Sequence, residues 1–563
     1  MYYAELAQAK KQLTGPGGDF EIVVGDVLGN KIRTWKNAPP SVREVWLATR
    51  EFADRDYLIY HDEKLTYEET HELTGAVANW LFAQGVKTGD RVAIAMRNYP
   101  EWMIIYWACC SVGITVVGMN AWWTAEEMAY ALKDSEPAVL FLDSERLARV
   151  RQNPEMAKGA KLVGVRFEED AEGVTPWSDV IAGGGAMPEV AIDPDSDACI
   201  FYTSGTTGFP KGAQLTHRGC VSNLMNMLYA RASSALAVHA ATGEAPPDPP
   251  PVPVTLINTP LFHVTANNCA AYAVTAAGGA MVLMYKWDAG EALRLIEKHK
   301  IMTVSGVPVM AREIINHPDF EKTDTSSLLA LGGGGAQVPP DLVLAIEKKV
   351  STARPNTGYG MTETCGIITS VAADFYVDRP DSVGPAMPVY EAKCVDPDGN
   401  EVPTGERGEL WVRGASVIKG YINRPDATAE SITDGGWLHT GDIARMDEDD
   451  FIYIVDRKKD MVLRGGENIY CAEVEAALYR HDDVAECSVF GLPDERLGEE
   501  VAAAIVAKPG RTLTEDDIRA HCSEIMAKHK VPRYIWILDE PLPRNASGKF
   551  LKRELRDRLS EKV

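Results

Sequence analysis

The chain has 563 residues, and its shares of hydrophobic (45%) and charged (25%) residues are those of a globular protein, which excludes general disorder. Its formal net charge of −24, from 57 basic and 81 acidic side chains, argues against nucleic-acid binding, although a local loop could still hold a phosphate through backbone N–H groups. The ten cysteines include no CxxC pair, so we expect neither structural zinc nor a disulfide scaffold, and we expect a cytoplasmic location.

Helical and strand-like segments alternate along much of the chain. Residues 65–85, 126–137 and 291–300 have helical spacing. Each is followed by a short apolar run, RVAIAM, AVLFLD and MTVSGVP respectively. Repeated alternation of this kind predicts an α/β fold with mainly parallel sheets covered by helices.

Two long uncharged runs, residues 102–123 and 249–285, raise the question of a membrane span. Gly113 and Gly118 divide the first run, whose second half is strand-like. The second run contains several prolines and a Gly-Gly pair, which a lipid-facing helix would tolerate poorly. We therefore expect a buried helix and a buried strand in the first run, and strand, apolar helix, turn and strand in the second. This interpretation predicts no transmembrane segment and leaves peripheral membrane contact open.

The sequence texture changes towards the C-terminus. The proline-rich piece 246–254 is typical of an exposed, extended insertion. Residues 396–414 carry DG and TG turns between alternating runs, which predict hairpins, and a compact α+β unit with a helix from Leu513 follows. We place a boundary in the charged DRKKD segment, between a large N-terminal domain of several subdomains, residues 1–457, and a small, mobile C-terminal domain, residues 458–563.

The stretch 202-YTSGTTGFPKG-212 has the composition of a phosphate-binding loop. It is not a Walker loop, because Pro210 stands where the second glycine should be and Gly212 follows Lys211. Glycines allow the backbone N–H groups to turn inward, hydroxyl groups add donors, and one lysine adds a charge. The residues concerned are Gly205 and Gly208, Ser204, Thr206 and Thr207, and Lys211.

This stretch resembles the phosphate loop of the adenylate-forming (ANL) superfamily, which includes acyl- and aryl-CoA synthetases, nonribosomal adenylation domains and beetle luciferases. Further motifs follow in the order of that superfamily, namely 332-GGGGA-336, 358-GYGMTET-364, 441-GD-442, 456-DRKKD-460 and 543-PRNASGKFLKREL-555. The chain is most similar in pattern to fatty acyl-CoA synthetases and AMP-dependent acid–CoA ligases.

The resemblance implies how the nucleotide is bound. Tyr359 would stack on adenine, Asp442 would bind both ribose hydroxyls, and Arg457 would add a ribose contact. Mg²⁺ would be held by Thr206 and Glu363, and a carboxylate suits this hard cation. The full implied set of nucleotide-binding residues is Thr203, Ser204, Gly205, Thr206, Thr207, Gly208, Lys211, Gly334, Ala336, Gly358, Tyr359, Gly360, Met361, Asp442, Ile454, Arg457 and Lys549.

The resemblance also implies a two-step reaction. Attack of a carboxylate on the α-phosphorus of ATP gives acyl-AMP, and Lys549, with an ordinary lysine pKa, would bridge the two reacting anions. The implied catalytic residues are Lys549, Glu363, Thr362 and His263. The C-terminal domain would then rotate about Lys459, so that Arg464, Gly465 and Gly466 line a tunnel for the thiol of coenzyme A.

The residues expected around the acid indicate its chemical class. The segment 258-NTPLFHVTANN-268 has no carboxylate for an ammonium group, so an α-amino acid is not expected. Apolar neighbours suit a hydrocarbon tail, and the expected pocket residues are His263, Val264, Val307, Gly334 and Gly360. We expect a medium- or long-chain fatty acid.

Several alternatives stay open. They are an aryl- or alicyclic-acid CoA ligase, or an acyl-AMP ligase that loads a carrier protein. A non-catalytic nucleotide sensor is disfavoured because Glu363 and Lys549 are both present. No carrier-protein segment follows Lys549, which favours coenzyme A as acceptor. The expected partners are therefore the acid, ATP and coenzyme A, with a homodimer left open.

Overall fold

The computed structural model describes residues 3–167, 171–203, 210–243, 249–336, 338–350, 352–465, 467–545 and 548–560. Its strands, numbered in chain order, are β1 (Ile22–Val27), β2 (Asn30–Trp35), β3 (Asp56–Tyr60), β4 (Glu63–Thr66), β5 (Arg91–Ala95), β6 (Thr115–Gly118), β7 (Val139–Leu142), β8 (Lys161–Gly164), β9 (Thr175–Pro176), β10 (Asp197–Thr203), β11 (Lys211–Thr216), β12 (Val254–Ile257), β13 (Ala280–Leu283), β14 (Thr303–Gly306), β15 (Ala330–Gly334), β16 (Arg354–Met361), β17 (Gly366–Ala372), β18 (Gly384–Pro385), β19 (Glu391–Val395), β20 (Gly408–Arg413), β21 (Gly420–Tyr421), β22 (Leu438–Met446), β23 (Phe451–Arg457), β24 (Val462–Arg464), β25 (Glu467–Ile469), β26 (Val484–Asp494), β27 (Gly498–Ala507) and β28 (Tyr534–Leu538).

The α-helices are α1 (Tyr3–Thr14), α2 (Val42–Ala48), α3 (Tyr67–Ala83), α4 (Pro100–Ser111), α5 (Ala125–Ser135), α6 (Ser144–Gln152), α7 (Trp177–Ile181), α8 (His217–Thr242), α9 (Tyr272–Ala276), α10 (Ala289–His299), α11 (Pro308–Asn316), α12 (Pro340–Lys349), α13 (Ala373–Asp378), α14 (Pro425–Ser431), α15 (Cys471–Leu478), α16 (Glu515–Ile525) and α17 (Lys552–Ser560). A π-helix, Thr265–Ala271, precedes α9. Short 3₁₀ helices lie at Thr49–Phe52, Pro154–Ala157, Phe320–Lys322, Thr362–Thr364 and Lys528–Lys530.

Two eight-stranded sheets form most of the N-terminal part. The first has the order β21-β11-β10-β6-β5-β7-β8-β9, and the second has the order β17-β16-β15-β14-β12-β13-β3-β4. In both sheets the central strands are parallel. Antiparallel strands lie at both edges of the second sheet and at the β21–β11 edge of the first. The prediction of an α/β fold with mainly parallel sheets is confirmed.

Helix α4 and strand β6 account for the first uncharged run. Every residue of α4 is buried, and α4 contacts β3 of the second sheet as well as β5 and β6 of the first. A helix that is apolar on all sides is stable only where all sides are covered, and this position between two sheets provides that cover. The predicted buried helix and strand are confirmed.

The second uncharged run also folds as expected, with β12, the π-helix and α9, a turn at Gly278, and β13 in that order. Among the residues that the model describes, no helix is long and apolar enough to cross a membrane.

Two further sheets, built mainly from antiparallel strands, follow along the chain. The order β18-β23-β22-β20-β19 forms one five-stranded sheet, which includes the predicted hairpin between β19 and β20. Strands β24 to β28 form another, with β28 parallel to β27. The predicted helix from Leu513 begins two residues later, because Thr514 caps its N-terminus through a bond from the Asp517 N–H.

Only four residues separate β23, in the one sheet, from β24, in the next, and Lys459 is among them. The domain boundary and the hinge stay predictions. Within the proline-rich piece, residues 244–248 lie outside the described residues, and 249–253 form no regular element; Val252 is largely exposed there.

Candidate active site

The carboxyl ends of three parallel strands meet at the candidate site, which is where open α/β sheets place their ligands. Strand β10 ends at Thr203, β15 at Gly334 and β16 at Met361. Thr203 pairs with Lys211 across the β10–β11 hairpin, so the predicted phosphate loop closes between these two residues. The loop residues Ser204, Gly205, Thr206, Thr207 and Gly208 lie outside the described residues.

Glu363 is a buried carboxylate beside this loop. The Tyr421 hydroxyl donates to Glu363 Oε1 over 2.8 Å, and Lys211 Nζ lies 4.2 Å from the centre of the Tyr421 ring. The side chain of Glu363 is 8% exposed. Burial and the neighbouring carboxylate raise the pKa of Tyr421, which keeps this hydroxyl a hydrogen-bond donor. Tyr421 therefore fixes the orientation of Glu363 and contacts the cation at the end of the loop.

Asp442 binds two other predicted residues. The Tyr359 hydroxyl donates to Asp442 Oδ2 over 2.6 Å, and Arg457 Nε lies 3.0 Å from Oδ1 in an ion pair. Asp442 and Arg457 are direct neighbours in the β22–β23 ladder, which explains their meeting. The carboxylate of Asp442 raises the pKa of Arg457, so this guanidinium stays charged. A carboxylate has about four acceptor positions, so Asp442 keeps acceptor positions for a further ligand beside the one that Tyr359 occupies.

Lys549 reaches this cleft from the C-terminal domain. Its backbone N–H and C=O both bond to Asn545, which closes a tight turn, and Arg544 ties that turn to Glu486 of β26. The other end of the Lys549 side chain lies beside Gly335. A Cβ atom built on this glycine would be 4.0 Å from Lys549 Cε. The lysine therefore lies beside the end of β15 while its loop stays attached to the C-terminal sheet.

The pKa of Lys549 differs from the ordinary value assumed from the sequence. Loss of hydration among the surrounding protein atoms, and then the positive charge of Arg457, lower the pKa of Lys549 to about 8, against the opposing effect of Asp442 and Glu363. Solvent still reaches the side chain through the open cleft. The pKa of Lys459 is also lowered, mainly by burial and then by Arg457. Lys549, Lys459 and Arg457 thus lie in one cleft with the carboxylates of Asp442 and Glu363.

His263 lies next to this cluster at the start of the π-helix. Burial and then the positive charge of Lys549 lower the pKa of His263 to about 4, so the imidazole is neutral at physiological pH. The Lys549 loop also contacts the predicted pocket: a Cβ added to Gly548 would lie 2.7 Å from Val307 Cγ2.

A cavity of about 990 Å³ opens from the ends of β15 and β16. Its lining includes three of the residues expected to contact the acid, Val264, Gly334 and Gly360, together with Met361. His263 and Val307 are not part of the lining. Gly358 also lines it, whereas Ala336 does not.

Some predicted residues lie elsewhere in the molecule. Arg464 forms a two-bond ion pair with Glu500, and Gly465 bonds to Leu497, so both make contacts within the C-terminal sheet. Gly466 lies outside the described residues. Ile454 lies on β23 and pairs with Ala444. Thr362 begins the 3₁₀ turn that carries Glu363.

The sequence interpretation missed Tyr421. The pair 420-GY-421 does not indicate a function by itself. Tyr421 reaches the site only because β21 pairs with β11, which places Tyr421 opposite Ala213. The missing information was a strand pairing between distant segments.

Comparison with known proteins identifies the family. The sequence model of the AMP-binding enzyme family matches residues 45–422, and that of the AMP-binding enzyme C-terminal domain matches residues 473–549. The chain belongs to the AMP-binding enzyme family, and the predicted enzyme class, an AMP-forming acid–CoA ligase, is confirmed.

Individual relatives are similar over nearly their whole length. A feruloyl-CoA synthase from Amycolatopsis sp is 35% identical over 88% of this chain and 94% of that protein. The 3-[(3aS,4S,7aS)-7a-methyl-1,5-dioxo-octahydro-1H-inden-4-yl]propanoyl:CoA ligase of Rhodococcus jostii (strain RHA1) is 34% identical over 91% of this chain and 97% of that protein. The crystal structure of ATP-bound MatB from Rhodopseudomonas palustris is 28% identical, covers 92% of this chain and 99% of that chain, and has a TM-score of 0.79.

Proposed function

We propose that this protein joins ATP and a hydrophobic carboxylic acid to acyl-AMP and pyrophosphate, and then transfers the acyl group to coenzyme A. The observation that carries the proposal is the meeting of Lys549, from the C-terminal domain, with the Asp442–Arg457 pair and Glu363 of the N-terminal part. A cleft in which cations outnumber carboxylates suits a reaction between two anions.

The first step needs positioned positive charge more than it needs a nucleophilic side chain. The carboxylate oxygen attacks the α-phosphorus, the bond to the pyrophosphate oxygen breaks, and negative charge moves onto the departing oxygens. Protonated Lys549 would donate to oxygens of both the carboxylate and the α-phosphate, and Lys211 would contact the departing phosphates. Preorganised donors of this kind act strongly because water is partly excluded.

The nucleoside would be held by the Tyr359–Asp442–Arg457 group. Asp442 accepts from Tyr359 and is paired with Arg457, so its orientation is fixed before a ribose arrives, and its free acceptor positions suit two adjacent hydroxyl groups. Tyr359 would offer its ring to the adenine.

Mg²⁺ suits the donors beside the phosphate loop. Among the described residues, no group of three or more His, Cys, Asp or Glu side chains could hold a metal ion, but Mg²⁺ is usually held by one or two carboxylates together with substrate phosphates. Glu363, oriented by Tyr421, is such a carboxylate. The ion would be held by Glu363 and Thr206, and it would neutralise charge on the β- and γ-phosphates.

In the second step the thiol of coenzyme A must reach the carbonyl carbon of acyl-AMP, beside which Lys549 lies during the first step. We therefore propose that the C-terminal domain rotates about the four-residue connection that contains Lys459, which withdraws Lys549 and brings Arg464 and Gly465 towards the cleft. The neutral imidazole of His263 would then border the path of the thiol without adding a charge there.

For the acid, we propose a hydrophobic tail larger than a single ring. At about 990 Å³, the cavity lies at the upper end of the range for small-molecule sites. A medium- or long-chain fatty acid is the first candidate. An alicyclic acid is the second, because the similar ligase of Rhodococcus jostii is named for such a substrate.

The test is pyrophosphate release with a panel of fatty, aryl and alicyclic acids, with and without coenzyme A. We expect acid-dependent release, and a thioester only when coenzyme A is present. The Lys549→Ala variant should lose about 10²–10³ of its adenylation rate but still form thioester from preformed acyl-AMP. Equal release with every acid and with none would refute the proposed activity, and equal loss of both half-reactions would refute the role of Lys549.

A further inference from the structure

The acyl cavity extends far beyond the residues that surround the reacting carboxylate. Gly360 lines one end and Arg354 lines the other, and both belong to β16. Six residue steps of about 3.3 Å give a length of roughly 20 Å along that strand. The cavity therefore follows the second sheet over nearly its full depth, from the carboxyl ends of its strands to their amino ends.

Helix α8 leaves this space open because of the residues on its inner face. Met227, Ala230, Ser234 and Val238 recur at helical spacing and line the cavity, and two of the four side chains are small. On the sheet side, residues such as Ala330 add little volume.

The far end of the cavity is covered by helix α1. Tyr3, Leu6, Ala7 and Lys10 line it, and their spacing of three, four and seven residues defines one face of the helix. Ala9, on another face, is buried in a cluster with Ala237 of α8. Helix α1 thus uses one face to attach to α8 and another to close the cavity.

Tyr3 holds the beginning of α1 in place. Its hydroxyl donates to Asp378 Oδ2 over 2.7 Å. Its ring lies 5.6 Å from that of Phe375 and 5.5 Å from that of Phe451, and the Arg379 guanidinium lies 4.4 Å from its centre. These contacts give the wall a fixed position, as a wall that discriminates by size requires.

We propose that helix α1 is the distal wall of the acyl cavity and determines the size of the acid, with Leu6 in contact with the end of the tail that lies farthest from the carboxylate. The inference rests on the proposed acid–CoA ligase activity. The occupant is the apolar end of the substrate, an alkyl chain or a fused alicyclic ring system, because Tyr3 and Leu6 present apolar surface there. The charged residues that also line the cavity do not oppose this: Arg354 is paired with Glu347 and Asp374, and the others are exposed, namely Lys10, Arg231, Glu448, Asp449 and Asp450.

Three variants test the proposal on the full-length protein. Leu6→Trp adds volume at the distal wall, and Ala7→Trp does so from a more exposed position that packs less tightly. Gln8→Trp is the matched control, since Gln8 is exposed and does not line the cavity. For each, kcat/KM is measured with the shortest and the longest acids that the wild-type protein activates, from a panel that runs from cinnamate to palmitate and cholate.

We expect Leu6→Trp and Ala7→Trp to lower kcat/KM for the longest acid by about 10-fold or more, since a pocket discriminates about 10- to 200-fold for one misplaced methylene. The value for the shortest acid should change by less than about 2-fold, and Gln8→Trp should change neither. The thermal unfolding temperature of each variant shows whether a loss of activity comes from a filled cavity or from a damaged fold. If Leu6→Trp does not fold, the kcat/KM values of Ala7→Trp test the proposal.

Three results would overturn the inference while leaving the proposed function intact: equal effects of the variants on short and long acids, no effect on either, or a wild-type protein that activates only short acids. A wild-type protein that activates no acid would instead overturn the proposed function.

Discussion

The lowered pKa of Lys549 predicts a pH dependence for adenylation. The ordinary lysine value near 10.5 falls to about 8 in the cleft, because the ammonium group loses hydration and faces Arg457. If protonated Lys549 is the donor to the reacting oxygens, adenylation is fully active below that pKa and declines as the pH rises through it. A lysine with an ordinary pKa would give no decline until the pH exceeded about 10.

The size of the effect follows from the protonated fraction. With a pKa of about 8, roughly nine in ten Lys549 side chains are protonated at pH 7 and about one in ten at pH 9, so the rate should fall by close to 10-fold over these two units. Bound ATP adds negative charge and raises the pKa, so the decline should move to higher pH when ATP is saturating. The pKa of Lys549 in the nucleotide-free protein is therefore measured at a low ATP concentration.

The assay is single-turnover formation of acyl-AMP at subsaturating ATP, from pH 6.5 to about 10. Coenzyme A is omitted so that its thiol does not contribute to the profile. Lys549→Arg is the control, because a guanidinium stays protonated throughout this range; its rate should be lower but independent of pH. A wild-type rate that stays constant to pH 9.5, or a Lys549→Arg variant with the same decline, would contradict the assigned role.

Three further substitutions test the remaining parts of the site. Tyr421→Phe removes the bond that orients Glu363 and should lower kcat by about 10-fold and raise the Mg²⁺ concentration needed for half-maximal pyrophosphate release; an unchanged Mg²⁺ requirement would contradict this. Asp442→Asn should lower kcat/KM for ATP by about 10- to 100-fold and leave the KM for the acid nearly unchanged, and equal changes in both would argue against ribose contact. Gly548→Ala places a methyl group against Val307 at a φ of +81°, so it should slow adenylation by about 10-fold but leave thioester formation from preformed acyl-AMP intact; equal slowing of both steps would point to a general loss of folding instead.

Features set by local sequence could be predicted, and features set by pairing between distant segments could not. Helix α4 was evident because the uncharged run that begins at Trp102 requires cover on every side. The motifs at the ends of β10, β15 and β16 were evident because each is a short continuous string. Tyr421 depends on the pairing of β21 with β11, and the depth of the acyl cavity depends on helix α1, more than 200 residues before α8 ends.

The pKa values belong to this second group. An isolated lysine or histidine has the same pKa in any sequence, and only burial and neighbouring charges change it. His263 and Lys549 are far apart in the chain, yet they lie close together in the fold, and the pKa of His263 is lowered first by burial and then by the positive charge of Lys549. Sequence motifs could therefore indicate which residues form one site, but they could not indicate which of these residues are charged at a given pH.

The charges in the cleft also suggest why one site can serve two successive reactions. The cleft brings Lys549, Lys459, Arg457 and Lys211 near the carboxylates Asp442, Glu363 and Asp460, and the lowered pKa values of Lys549 and Lys459 indicate that their charged forms are disfavoured there. ATP supplies negative charge and so favours the arrangement in which Lys549 lies in the cleft. Once pyrophosphate has left, much of that negative charge is gone and the cations again outnumber the carboxylates. Departure of the C-terminal lysine then relieves the excess positive charge, so loss of the first product would favour the rotation that the second step requires.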